Sequence, residues 1–366
     1  MAAQVQIRSL LALAAFVAAC SVPSVATAQP QSASNRTELL FLGTAGGPPL
    51  RRDRSEPSTL IIVDGRSYLI DCGIGTMQRM QKADIDPQQI RTIFLTHLHS
   101  DHDLGLADVM GDDFFLLNLS GASGSIDIYG PPQTRELVDA AFRFITVAAR
   151  PFAVENPGTY RMSRGQLLSP FKAHEIDRAG LIYQDDKIRV TAAENSHYAL
   201  MTPRQRKTFK SYAYRIDTPH GSIVLTGDTG PSDAVTRLAQ GADVLVAEAD
   251  ALDAADRDEF VGRMAARNHW TAERTRGFRA HFISEHLDTG EIGQLASDAH
   301  VRSVVLYHYD PGDDAPHSTY LNGVRRSFTG SVFAPDDLDR YCLDAGALRR
   351  CPGATAESKS PGQYSP

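Results

Sequence analysis

Apolar residues along the chain gather into short runs whose spacing changes from segment to segment. Three runs come early, at residues 38–43, 59–63 and 67–72, and the last two are joined by Asp64-Gly65-Arg66. An Asp-Gly turn between β-rich runs predicts a hairpin, because both residues tolerate the positive φ of a tight turn. A helix is predicted over 75–82 and a short strand over 90–96. A strand over 125–129 is closed by Gly130-Pro131-Pro132, and 134–147 carries Leu137, Ala141 and Phe144 at helical spacing. Residues 149–179 have weak periodicity and read as loop and short elements covering a site.

Order returns with strands over 188–193, 211–217 and 222–226, the last two separated by Pro219-His220-Gly221. A helix near 232–240, a strand at 244–247, helices within 253–267 and over 289–299, and a strand at 303–307 follow. Strand clusters interleaved with helices indicate an α/β layered fold. No fixed-period repeat is apparent, and the Gly-, Pro- and Ser-rich tail beyond about Ala345 is expected to be loose.

With 42% hydrophobic and 22% charged residues among 366, the chain has ample core-forming material, which excludes disorder. Its net charge of −7 excludes nucleic-acid binding through bulk Coulomb attraction, so any anion must be recognised locally. Residues 1–28 read as a signal peptide: Arg8 is their only charge, an apolar run follows it, and Ala26-Thr27-Ala28 precedes the expected cut. That run is too short to span a bilayer. Val17-Ala18-Ala19-Cys20 resembles a lipobox, so Cys20 is an alternative lipid anchor. Either route predicts an exported protein, periplasmic or secreted, or else membrane-anchored. Cys72 reads as a small buried hydrophobe, whereas the spacing of Cys342 and Cys351 permits a disulfide or two free thiols.

The decisive chemistry is Thr96-His97-Leu98-His99-Ser100-Asp101-His102, directly after a predicted strand. Three imidazoles and a carboxylate within six residues cannot all find partners in a packed core, whereas metal ions would supply them. In an extended segment His97 and His99 point the same way, while Asp101 and His102, at a turn, can face a second ion.

With that motif the chain resembles a metallo-β-lactamase-fold hydrolase. Leu42-Gly43-Thr44-Ala45-Gly46-Gly47, Leu69-Ile70-Asp71-Cys72-Gly73, the histidine cluster and Leu225-Thr226-Gly227-Asp228-Thr229 stand in the family's order. The pattern is most similar to the ribonuclease Z-like branch, which also contains secreted arylsulfatase-like enzymes. The resemblance implies an αββα four-layer sandwich over residues 36–335, followed by a partly flexible C-terminal extension over 336–366. It makes His97, His99 and His197 ligands of one metal, Asp101, His102 and His308 ligands of a second, and Asp228 a bridge between them. Two divalent ions are implied, zinc by the histidine-rich set, with manganese or iron as alternatives. Asp71 is expected to support ligands. Asp101 and His286 are the catalytic candidates, His286 as donor of a proton to the leaving oxygen; His269, His281, His300 and His317 are expected to be surface residues.

Arg204, Arg206, Lys207 and Lys210 form a basic loop that could grip a phosphate or sulfate. Export, acidity and the lack of an evident basic arm point to a small-molecule ester substrate, a phosphodiester or sulfate ester, with no strong nucleic-acid signal. A lactone or β-lactam hydrolase of the same fold is one alternative, and a metal-binding or lipid-anchored envelope protein without turnover is another. The sequence leaves the oligomeric state open.

Overall fold

A computed structural model describes residues 36–120, 124–160, 162–163, 166–309 and 315–352. The leader and the Cys20 motif lie outside the described residues. None of the described helices is long and apolar enough to cross a membrane.

Two sheets stack face to face. The first runs, by spatial order, through Ala347–Arg350, Arg340–Asp344, Thr37–Gly43, Ser58–Val63, Arg66–Ile70, Thr92–Phe94, Asp127–Gly130 and Lys172–Glu175. The second runs through Ser331–Phe333, Ser303–Tyr309, Val244–Ala249, Gly221–Leu225, Tyr212–Thr218, Arg189–Glu194 and Gly180–Gln184. Alternation along each strand divides its side chains between two cores. Leu39, Phe41, Ile61 and Phe94 of the first sheet meet Val190, Tyr214, Ile223 and Val246 of the second in the central layer. The opposite faces carry helices: Leu40, Leu69 and Ile93 pack on Met80, Phe114 and Val138, while Val224, Leu245 and Val304 pack on Val235, Ile292 and Val324. The result is the expected αββα sandwich.

Three expectations need correction. The helix predicted over 134–147 continues as Thr134–Glu155 through Pro151, and Lys172–Glu175 becomes the edge strand of the first sheet. The described residues of 149–179 therefore pack mainly on the outer face of that sheet, with Ala149, Phe171 and Ala173 in its core, instead of covering the site. Leu106–Ser120 is helical although no helix was expected there, because its apolar residues almost surround it and leave little 3.6-residue periodicity. Beyond Ala345 the chain is not loose as far as it is described. Ala347–Arg350 pairs with Arg340–Asp344, which pairs with the first strand, and a Cys342–Cys351 disulfide closes the hairpin.

Candidate metal centre

The ends of the strands gather the polar residues at one edge of the sandwich. His97 and His99 follow the strand Thr92–Phe94, and the one-turn helix Ser100–Asp103 carries Asp101 and His102. His197 lies beyond Arg189–Glu194, and Asp228 lies beyond Gly221–Leu225, after Gly227 turns the chain at φ 58°. His308 sits inside Ser303–Tyr309 at a bulge: Glu248 pairs with Tyr307 and Ala249 with Tyr309, so His308 is the extra residue, and its φ is 56°. Such bulges re-aim a side chain at the cost of local strain. Gly47 is required by close approach, since a Cβ there would lie 2.2 Å from the Cβ of Asp101, whose Oδ2 accepts the Gly47 N–H at 3.0 Å.

All seven predicted residues come together, in two groups. Atoms of His97, His99 and His197 lie within 4.8 Å of one another, as do atoms of Asp101, His102, Asp228 and His308. Asp228 stands between the groups. Its Oδ2 is 3.8 Å from His97 Nε2, 4.0 Å from His197 Nε2 and 3.2 Å from His308 Nε2, and its Oδ1 is 3.3 Å from His102 Nε2.

The other face of several rings is already tied. His102 Nδ1 is 2.9 Å from Asp71 Oδ2, His197 Nδ1 donates to the Glu285 carbonyl at 2.9 Å, and His97 Nδ1 is 3.1 Å from Thr96 Oγ1. Such partners fix a ring's orientation and leave Nε2 as the inward atom. Yet nothing described hydrogen-bonds to the buried Nε2 of His97, and the Nε2 of His197 faces the Nδ1 of His99 at 3.0 Å. Burial pushes His97 well below the ordinary imidazole range and His197 down to about 4, so both are neutral with lone pairs to give. In the second group burial opposes charging, but Asp228 and Asp101 outweigh it and hold His102 and His308 well above that range. The carboxylates thus concentrate positive charge where a divalent ion would bring its own, displacing those protons. Orphaned ring nitrogens and a mixed histidine and carboxylate donor set fit divalent cations.

His286, also predicted, is buried beside the cluster, with Nδ1 2.7 Å from Glu248 Oε2. Burial drives His286 well down and Glu248 well up from their usual ranges. Sequence reasoning missed Glu248, which lies inside the apolar strand Val244–Ala249 and reads there as an alternating residue. It also misplaced His281: its Nε2 is 3.2 Å from His286 Nε2 and its Nδ1 2.5 Å from Glu285 Oε2. The basic loop is only partly as expected. Lys210 pairs with Glu194 at 2.9 Å, Arg204, Arg206 and Lys207 are exposed, and the loop residue lining the adjoining cavity with His99 and His281 is Gln205.

Residues 66–309 match the family model of the β-lactamase superfamily domain. The chain is 32% identical over 307 residues to a ribonuclease Z of Mycobacterium bovis, covering 83% of this chain and 97% of that one. The chain belongs to the metallo-β-lactamase superfamily, in its ribonuclease Z-like branch. Among solved structures, the short form of human tRNase Z superposes with a TM-score of 0.56 at 20% identity, covering 84% of this chain and 99% of that one. Zn2+-bound PqqB of Methylobacterium extorquens superposes with a TM-score of 0.54 at 15% identity, covering 83% and 99%. At those identities the superpositions show the fold. As a member of this family the chain is a hydrolase of a fold that binds divalent metals, zinc commonly.

One expectation is overturned by the ribonuclease Z and tRNase Z relatives, which are named for action on RNA: a small-molecule ester partner without nucleic-acid signal. Net charge misled because it averages over the whole surface, whereas an anionic ester can be recognised by a handful of local groups.

Proposed function

We propose that the protein is a metal-dependent ribonuclease that hydrolyses RNA phosphodiesters at the Asp228-centred cluster. The observation that carries this reading is the 32% identity to a ribonuclease Z across 83% of the chain, in which the strand ends bring all seven histidine and aspartate side chains together. His97, His99 and His197 would hold one ion, Asp101, His102 and His308 a second, and Asp228 both. Zinc suits the neutral imidazoles, with manganese and iron as alternatives. When bound, two such ions polarise a phosphodiester and make water acidic enough to attack it near neutral pH.

The chain's own residues do the rest. Asp101, its Oδ2 anchored by the Gly47 N–H, orients the attacking water. His286, kept neutral by burial, gives its Nε2 proton to the leaving oxygen while its Nδ1 takes the carboxyl proton of Glu248, which burial holds protonated and whose contact fixes the ring's tautomer and orientation. Arg204, Arg206 and Lys207 are exposed beside the cavity-lining Gln205 and would meet further phosphates of the RNA. The protein is also proposed to work outside the cytoplasm; the signal-like leader and the Cys342–Cys351 pair support this. The test is a substrate panel with the zinc-loaded mature protein. We expect turnover of single-stranded RNA and of a nitrophenyl phosphodiester well above that of sulfate ester, lactone or cephalosporin. Faster turnover of any of the last three would overturn the reading.

A further inference from the structure

Above the metal cluster lies a cavity of about 380 Å³. Its far wall comes from two helices, Ala254–Arg267 and Ala272–Glu285, which pack on each other through a small cluster of their own, Phe260, Val261 and Phe282. Four rings run outward from the centre in sequence. His286 is 5.5 Å from Phe282, Phe282 is 5.0 Å from Phe278, and Phe278 is 4.7 Å from Trp270, centroid to centroid. Phe282 is buried, whereas Phe278 and Trp270 are partly exposed along the cavity, and the Arg274 guanidinium lies 4.9 Å over the indole.

This wall has the wrong chemistry for a phosphate chain. Among the described residues, no lysine or arginine lines the cavity, and tracking a backbone requires them. It has the right chemistry for a flat, weakly hydrated ring, because every nucleobase presents a π face that stacks on aromatic side chains. The volume is at the small end of ligand cavities and suits one nucleoside rather than stacked base pairs. The wall also starts at His286, the group placed at the leaving oxygen.

We infer that Trp270 and Phe278 form a stacking subsite for the base of the nucleoside on the leaving side of the scissile phosphate, so the substrate there is an unpaired nucleotide. The inference rests on the ribonuclease reading and specifies which part of the RNA the apolar wall receives.

Trp270 is the chain's single tryptophan, which allows a test independent of turnover. Adenosine, the product on the leaving side, added to the zinc-loaded protein should quench its fluorescence, ribose should not, and Phe278→Leu should weaken the quench. In parallel, a diadenosine monophosphate and its two single-abasic analogues report on cleavage. Removing the leaving-side base should lower kcat/KM by about 5- to 100-fold, the range expected of one aromatic stack, and removing the other base much less. Trp270→Ala and Phe278→Leu, checked for unchanged metal content, should bring the ratio of intact to leaving-side abasic substrate toward one, with Trp270→Phe restoring part of it. Equal quenching by adenosine and ribose, or a base dependence these variants leave intact, overturns the subsite. Base-dependent quenching with no cleavage of any dinucleotide instead overturns the ribonuclease reading, leaving the stacking observation standing as a separate fact.

Discussion

The floor and the cover of the metal centre are built in opposite ways. The floor is made of strand ends, where His97, His102, His197, Asp228 and His308 are buried and most rings are tied on the side away from the cluster. The cover is a pair of helices joined through a cluster of three buried residues, with partly exposed aromatics facing the cavity. A packed floor whose rings are mostly tied from behind holds ligands to the tolerance that coordination demands, and a lightly packed cover can vary in shape without disturbing it. Chemistry should therefore fail when the floor is altered, and selectivity when the cover is.

The sharpest way to break that division is Asp228→Ala. It removes the carboxylate standing between the groups, so most of the metal should be lost and turnover should fall on the order of 10³-fold or more, because both ions depend on it. Full double occupancy, read by elemental analysis, would contradict the shared role. Next is His286→Ala, which stands where floor meets cover. It should lower kcat by about 10² to 10⁴ on RNA, whose leaving oxygen needs a proton, and far less on a nitrophenyl diester that leaves without one. Equal losses on both would assign His286 to structure.

Asp71→Asn touches the floor at one remove. Its Oδ2 meets His102 Nδ1, and such supports are worth about 10- to 100-fold in metal affinity, which a competition titration against a chelator would read.

The smallest effect separates the floor's fold from its metal. At the opposite end of the same strands, burial disfavours the Asp185 carboxylate, but hydrogen bonds from Tyr68, Tyr183 and the Lys187 and Ile188 amides outweigh that and bring it to about 2. A carboxyl depressed on folding contributes stability above its unfolded value, near 3.8, and loses that contribution as pH falls from there to about 2. Asp185→Asn should thus cost about 1 to 2 kcal/mol at pH 7, after allowance for solvent screening, and progressively less below pH 4. Denaturant melts of the metal-free protein at several pH values would show it, and a constant difference down to pH 2 would contradict it.

The same contrast explains what could be read from the sequence. Floor elements are legible because period-two strands and a His-x-His-x-Asp-His run are local signals, whereas the support by Asp71 came with the family resemblance. The shared edge of His197, Asp228 and His308 came from family order, since no local signal links residues so far apart. The cover was nearly invisible. Phe260 looks like an ordinary core residue on an amphipathic helix, Ala272–Glu285 with Phe278 and Phe282 has almost no helical periodicity and is not predicted as a helix at all, and only the tertiary fold turns Phe278 and Trp270 toward a cavity. Glu248 was hidden by the apolar strand that carries it, and His281 by an unremarkable helix.

The most direct measurement is RNA cleavage by chelator-stripped protein as zinc is added back. No cleavage is expected without metal, and recovery should reach a plateau at two ions per chain, as a shared two-ion site requires. Cleavage that survives stripping, or a fully loaded protein that leaves RNA intact, would contradict it.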